Sequence, residues 1–164
     1  MTPIIGFVGY SNSGKTLVVA SMIKILSSRG YRVASLKHAS HGYDMDVPGK
    51  DSWQHYGSGA EKVVVVGPSS FTVHQRCSAP PILSDILGMV NDVDIILLEG
   101  FKTEPVPKVV IIRNEVQTEQ IEIGSEALAV VSDIDFDLNI PLFSFEQLDL
   151  LADYLLDILP SINN

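Results

Sequence analysis

The stretch PIIGFVGYSNSGKT, residues 3–16, decides how the rest of the chain is read. Its first half is an apolar run ending at Gly9, the composition of a buried strand. Its second half, GYSNSGKT, sets Gly9, Gly14, Lys15 and Thr16 at the spacing G-x-x-x-x-G-K-[ST], the phosphate-cradling P-loop pattern. So short a pattern carries weight only where a strand delivers the loop and a helix leaves it. Both are present. Residues 16–29, TLVVASMIKILSSR, put Val18, Met22, Ile25 and Arg29 on one side of a helix, with Val19, Ile23 and Leu26 beside them, and Gly30 is a natural C-terminal cap. YRVASLK then reads as a second strand, completing a βαβ unit with a right-handed crossover. In that setting the N–H groups of Asn12 to Lys15 are expected to converge on a β-phosphate at the positive end of the helix. Lys15 reaches the β- and γ-oxygens, and the Thr16 hydroxyl ligates magnesium.

A chain of 164 residues is expected to form a single domain, 1–164, with a substantial core. Hydrophobic residues make up 46% and charged residues 19%, which excludes a disordered chain. A formal charge of −9 argues against nucleic acid as a partner, because a phosphate backbone needs a basic surface. A nucleotide needs only a few local donors. Cys77 is the sole cysteine, so neither an internal disulfide nor a cysteine-rich metal site is expected. The start lacks the features of a signal peptide, and no stretch has the length of a membrane span. The cytoplasm is the expected compartment.

Further along, residues 38–60 are polar and glycine-rich, broken by a short helix over Asp51 to Tyr56. Its length marks this connection as a candidate functional loop. KVVVVG and FTVHQR read as a hairpin around PSS, and PPILSDILGMVN as a helix with proline in its first turn. DVDIILLEG is a second strongly buried strand, and KVVIIR, ALAVVS and IPLF add others. Ser144 and Gln147 form the capping box of a last helix that ends at Pro160. The expected fold class is α/β, a P-loop NTPase-type three-layer sandwich with a mixed, mostly parallel sheet. P-loop chemistry also asks for an acid at the tip of a neighbouring strand. Glu99, after four apolar residues and before Gly100, is placed to hold magnesium or orient an attacking water. Asp94, at the other end of that strand, reads as structural.

Taken together, GYSNSGKT, SLKHASHGYDMDVPGKDSWQHYGSGA and IILLEGFKTEPVPKVVIIR resemble the molybdopterin-guanine dinucleotide biosynthesis protein B family over roughly residues 3–132. The resemblance implies a homodimeric GTP-binding protein with weak GTPase activity that assists the guanylyltransferase attaching GMP to molybdopterin. Carried over by motif, Gly9, Ser11, Asn12, Ser13, Gly14, Lys15 and Thr16 bind phosphates. Asp46 and Glu99 serve magnesium or the hydrolytic water, and Lys37, His38 and the residues to His41 border the site. The guanine-reading N-K-x-D sequence of regulatory GTPases is absent. VVSDIDFD instead offers Asp133 or Asp135 as acceptors for the guanine N1–H and amine, and the choice between them stays open.

His38, His41, Asp44 and Asp46 fall within nine residues, a set that suits a transition metal as well as a site at the end of the second strand. Among the remaining cations, Arg113 at the end of an apolar strand is favoured over Arg76, Lys102 and Lys108 for neutralising phosphate charge. Trp53 is assigned to the core or a dimer contact. Two alternative functions share the loop. A small-molecule kinase requires an arginine-rich lid, and a metallochaperone-type GTPase requires more histidine or cysteine.

Overall fold

Apolar side chains on alternate residues of four strands build the core: Ile5 and Phe7, Ile95 and Leu97, Val109 and Ile111, Ala129 and Val131 share one buried cluster. They lie on β1 (Ile4–Gly9), β5 (Ile95–Glu99), β6 (Lys108–Ile111) and β7 (Ala127–Val131). With β2 (Val33–Lys37) and β8 (Leu142–Phe143) these make a six-stranded sheet of order β2-β5-β1-β6-β7-β8. The computed structural model describes residues 2–40, 42–44, 46–113, 123–135 and 137–162. Two helices complete the cluster, α1 (Lys15–Ser28) through Val18, Val19, Met22 and Leu26, and the last helix, α4 (Leu148–Ile162), through Leu148, Leu151, Ala152, Leu155 and Leu159. On the opposite face Val110, Ile112 and Val130 pack with Val8, Leu138, Ile140 and Leu142. Burial on both faces explains why these strands read as continuous apolar runs instead of alternating ones.

Every pairing in this sheet is parallel. β1 therefore lies between β5 and β6, both remote in sequence, and its loop emerges among the carboxyl ends of its neighbours. Helix α1 ends as its sequence suggests. The N–H of Tyr31 donates to the Leu26 carbonyl at 3.1 Å and that of Gly30 to Ser27 at 3.0 Å, the paired bonds of a Schellman cap. The capping box before α4 is half formed: the Ser144 N–H donates to Gln147 Oε1 at 3.0 Å. The helix itself passes Pro160 and ends at Ile162, two residues beyond the expected stop. A proline in the final turn removes one hydrogen bond without undoing those before it.

The chain divides into two compact units, Met1–His38 with Val90–Asn164, and Ala39–Met89. The second unit holds α2 (Asp51–Gly57), a hairpin of β3 (Lys62–Val66) and β4 (Phe71–Gln75), and α3 (Leu83–Leu87), shorter than the helix read from PPILSDILGMVN. Among the described residues, the antiparallel part of the expected mixed sheet is this hairpin, which forms its own two-stranded sheet. Its register gives it two unlike faces. Val63 opposes His74 and Val65 opposes Thr72 on one; Val64 opposes Val73 and Val66 opposes Phe71 on the other. That second face is apolar and open, with Val66 76% and Phe71 71% exposed.

Asp94 is structural. Its Oδ2 accepts from the backbone N–H of Arg32 at 2.7 Å and its Oδ1 from the Arg32 guanidinium at 2.8 Å, fixing the start of β5 beside β2. These hydrogen bonds, side-chain first and backbone second, hold the carboxyl at about 2 instead of 3.8. A folded-state value below the unfolded one means stability that is fully present above about pH 4 and lost as pH falls toward 2. NMR titration of Asp94 is expected to give a midpoint near 2 that rises toward the ordinary value in Arg32→Gln. An unshifted midpoint in that variant would show that the pair does not set it.

Candidate functional site

Between β1 and α1 the backbone folds into a tight concave loop. Asn12 and Gly14 both adopt left-handed conformations, with φ of 61° and 95°, which orients successive N–H groups toward one side. Asparagine tolerates that region better than most side chains. Gly9 is required by space. A Cβ built there would lie 2.5 Å from the Ile111 carbonyl oxygen and 2.6 Å from Ser13 Oγ, nearer than real atoms approach. Ser13 is fully buried, and its Oγ has no hydrogen-bond partner among the described residues. Gly14, the N-cap of α1, supplies no side-chain cap, and no acid occupies the first turn. The helix thus presents its first N–H groups and its positive end to the loop, the ordinary equipment of an anion site.

Side chains from the ends of β2 and β5 and from the first turn of α1 converge beside it. The Thr16 hydroxyl donates to Glu99 Oε1 at 2.7 Å. The Lys37 ammonium, at the end of β2, stands 2.9 Å from the same oxygen and 3.4 Å from Thr16 Oγ1. Glu99 is only 7% exposed, although it ends a strand. Lys15 folds back over the loop and donates to the carbonyls of Gly9, at 3.1 Å, and Tyr10. Partial burial lowers the Lys15 ammonium from its ordinary value; Lys102 and Lys37 add to the effect and Glu99 opposes it. Lys102 itself sits 4.6 Å above the Tyr10 ring. The loop opens on a cleft of about 600 Å³ lined by Ser11, Asn12, Lys15, Thr16, Glu99 and Arg113 among others. Arg113 rests on the ring of Phe145 at 4.5 Å, and Phe145 abuts Gly14, where an added Cβ would lie 2.9 Å from its ring.

The expected phosphate-loop residues, with Thr16, Lys37 and Glu99, are thereby brought together. His38 stands one residue past β2, its N–H donating to the Glu99 carbonyl at 2.9 Å and its ring tilted against Phe101 at 5.3 Å. Asp133 is exposed and accepts from the Phe145 N–H at 3.2 Å, joining the ends of β7 and β8. Asp46 belongs to the second unit, where its Oδ1 accepts from the Val47 N–H at 2.8 Å. His41 lies outside the described residues, among which no group of three or more His, Cys, Asp or Glu gathers around a metal position. The donor set at the loop fits magnesium, a hard ion that takes oxygen ligands and keeps much of its water and phosphate. Thr16 Oγ1 and Glu99 Oε1 are such donors, already adjacent. Phe145 escaped the sequence reading, since a phenylalanine before a helix signals only packing. No helix among the described residues is long and apolar enough to cross a membrane.

A strand, a glycine-bounded loop and a helix at the carboxyl end of a central parallel strand, with an acid on the next strand, define a P-loop NTPase-type α/β protein. Residues 4–133 match the model of the family described as molybdopterin guanine dinucleotide synthesis protein B, MobB, and the chain belongs to that family. It is 31% identical to the molybdopterin-guanine dinucleotide biosynthesis adapter protein of Haemophilus influenzae, the match covering 93% of this chain and 87% of that one. It is also 31% identical to the Escherichia coli adapter protein, over 96% and 93% of the two chains. The crystal structure of Bacillus subtilis MobB superposes with a TM-score of 0.78 at 28% identity, covering 96% of this chain and 98% of that chain.

Because Lys15 serves the loop and not the core, Lys15→Ala is expected to remain folded and lose roughly tenfold or more in triphosphate affinity, about 1.5–3 kcal/mol for one charge-assisted hydrogen bond. Titration calorimetry checks it. An unchanged affinity would remove the loop from nucleotide binding.

Proposed function

We propose that this protein binds GTP at the loop of residues 9–16, hydrolyses it slowly with magnesium, and acts as an adapter to the guanylyltransferase that attaches GMP to molybdopterin. The observation that carries the reading is that Lys15, Thr16 and Glu99 line one cleft at the loop, with Lys37 paired to Glu99 beside them. Family membership supplies the pathway. The ammonium groups of Lys15 and Lys37 and a helix N-terminus offset the charge of a triphosphate, while Asn12 and Gly14 orient the backbone donors. Thr16 and Glu99 would hold magnesium, which when bound neutralises phosphate charge. Glu99 keeps its carboxylate fixed through Thr16 and Lys37, so it can accept a hydrogen bond from, and so orient, a water beside the phosphate. Guanine selection is assigned to the exposed carboxylates after β7, Asp133 and Asp135.

Slow turnover follows from what faces the cleft. Fast P-loop GTPases receive an arginine worth about 10³–10⁵ in rate. Here Arg113 lies against Phe145 at the cleft wall. In this reading the partner protein completes the site. Steady-state hydrolysis is expected to prefer GTP to ATP, to be slow alone, and to rise when the guanylyltransferase and molybdopterin are added. Glu99→Gln should keep GTP affinity and depress the magnesium-dependent rate. Rapid turnover without the partner would mark a self-sufficient enzyme instead.

The same proposal includes a homodimer. A lone two-stranded hairpin is marginally stable in water, and the hairpin here leaves Val64, Val66, Phe71 and Val73 exposed on one face. A second copy presenting the same face would bury both. Val66→Lys with Phe71→Lys is expected to give a monomer in analytical ultracentrifugation while the wild type sediments as a dimer; a wild-type monomer would refute the assembly.

A further inference from the structure

The other face of that hairpin holds a separate cavity. It has a volume of about 170 Å³ and is lined by Asp46, Ser52, Val63, Val65, Thr72 and His74, all within the second unit. At ~30 Å³ per water this is space for roughly six waters, and so for one small ring system but not a whole nucleotide. Its polar groups are a carboxylate, an imidazole and two hydroxyls. Among the described residues the only hydrogen bond to these four side chains is the one from the Val47 N–H to Asp46 Oδ1, at 2.8 Å. That bond fixes the carboxylate and leaves the second oxygen available.

The His74 wall is rigid and flat. Its ring stacks on Tyr56 at 3.8 Å with planes 9° apart. The Arg76 guanidinium lies 4.0 Å from the same Tyr56 ring. Two planar groups cannot share one face at these distances, so Arg76, Tyr56 and His74 form three layers. Arg76 is also held from the side by hydrogen bonds to the carbonyls of Ala60 and Tyr56. His74 lines the cavity and Tyr56, behind it, does not. The stack therefore ends at the cavity, where a fourth flat group would extend it.

We infer that this cavity binds a planar 2-amino-4-oxo-pyrimidine ring, the portion shared by pterins and guanine. Such a ring stacks on His74, as bases stack on aromatic and imidazole side chains. Its adjacent ring N–H and exocyclic amine donate to the Asp46 carboxylate, an acceptor-only group. Ser52 and Thr72 supply hydroxyls for the remaining edge, and Val63 and Val65 the apolar floor. Adenine, which presents no matching pair of donors, is rejected because Asp46 would be left unpaired. The inference rests on the proposed function for its biological sense, but not on the P-loop for its chemistry.

The test uses phosphate-free probes on the full-length protein: a pterin followed by its fluorescence, guanosine, and adenosine as control. Saturable binding of the pterin or guanosine is expected, with adenosine inert. Asp46→Asn and His74→Ala should each weaken it roughly tenfold or more, the loss of a charge-assisted hydrogen bond or a stacking platform. His74→Phe should restore much of the loss, since it keeps a flat ring, and His74→Ala should leave GTP affinity unchanged. Lys15→Ala should retain pterin binding, which separates this site from the phosphate loop. Tighter pterin than guanosine binding assigns the cavity to a pterin, and the reverse order to a free guanine base or nucleoside. Absence of saturable binding by either probe, equal binding of adenosine, or unchanged affinity in Asp46→Asn would overturn the inference.

Discussion

A nearly buried carboxylate governs the site at the loop of residues 9–16. Glu99 sits at the end of a strand whose five residues are all buried, where an unpaired charge would be strongly disfavoured. It is tolerated because the Thr16 hydroxyl and the Lys37 ammonium both meet Oε1. That requirement links the first turn of α1 to the ends of β5 and β2. It also explains why β2 must lie directly beside β5, with Lys37 opposite Glu99 in the register. The strand order and the charge pairing thus satisfy each other. Removing Lys37 would leave Glu99 a buried carboxylate without its counter-charge, a costlier change than losing a surface ion pair.

Much of this was legible in the sequence because it is local. The β1–loop–α1 segment announces itself through an apolar run, a spaced glycine pair and a helical periodicity within thirty or so residues. Glu99 could be found because an acid directly after IILL is unusual for a buried strand. The Lys37–Glu99 pair was not legible. It depends on β2 skipping past β1 to lie against β5, a choice made by the whole sheet and not by either segment. The Arg113–Phe145–Gly14 contact joins three distant segments and left no pattern to read. The hairpin was expected from its turn and its valines. Its separation from the main sheet, and the stack of Arg76, Tyr56 and His74 behind it, arise from register and from packing against α2.

The two faces of the hairpin illustrate how an alternating strand can serve two ends. Side chains two residues apart point the same way. Val63 and Val65 with Thr72 and His74 line a polar cavity, while Val64 and Val66 with Val73 and Phe71 form an open apolar surface. A one-residue slip would exchange these environments completely. The buried Val63, the only residue of β3 or β4 so enclosed, together with the stack on His74, pins the register.

The sheet order also dictates a timetable during synthesis. The loop of residues 9–16 leaves the ribosome before either of the strands that flank β1. Ile4 pairs with Ile96 and Gly6 with Lys108, so both flanking strands are translated long afterwards. At about 5–20 residues per second this leaves β1 without its sheet for roughly 5–20 s. During that interval the nascent chain carries an apolar strand with both edges open, a natural target for holding chaperones. The loop cannot take its final shape in that interval, because Glu99, which pairs with Thr16, and the carbonyl of Ile111, which packs against Gly9, do not yet exist. The site is encoded first and completed last.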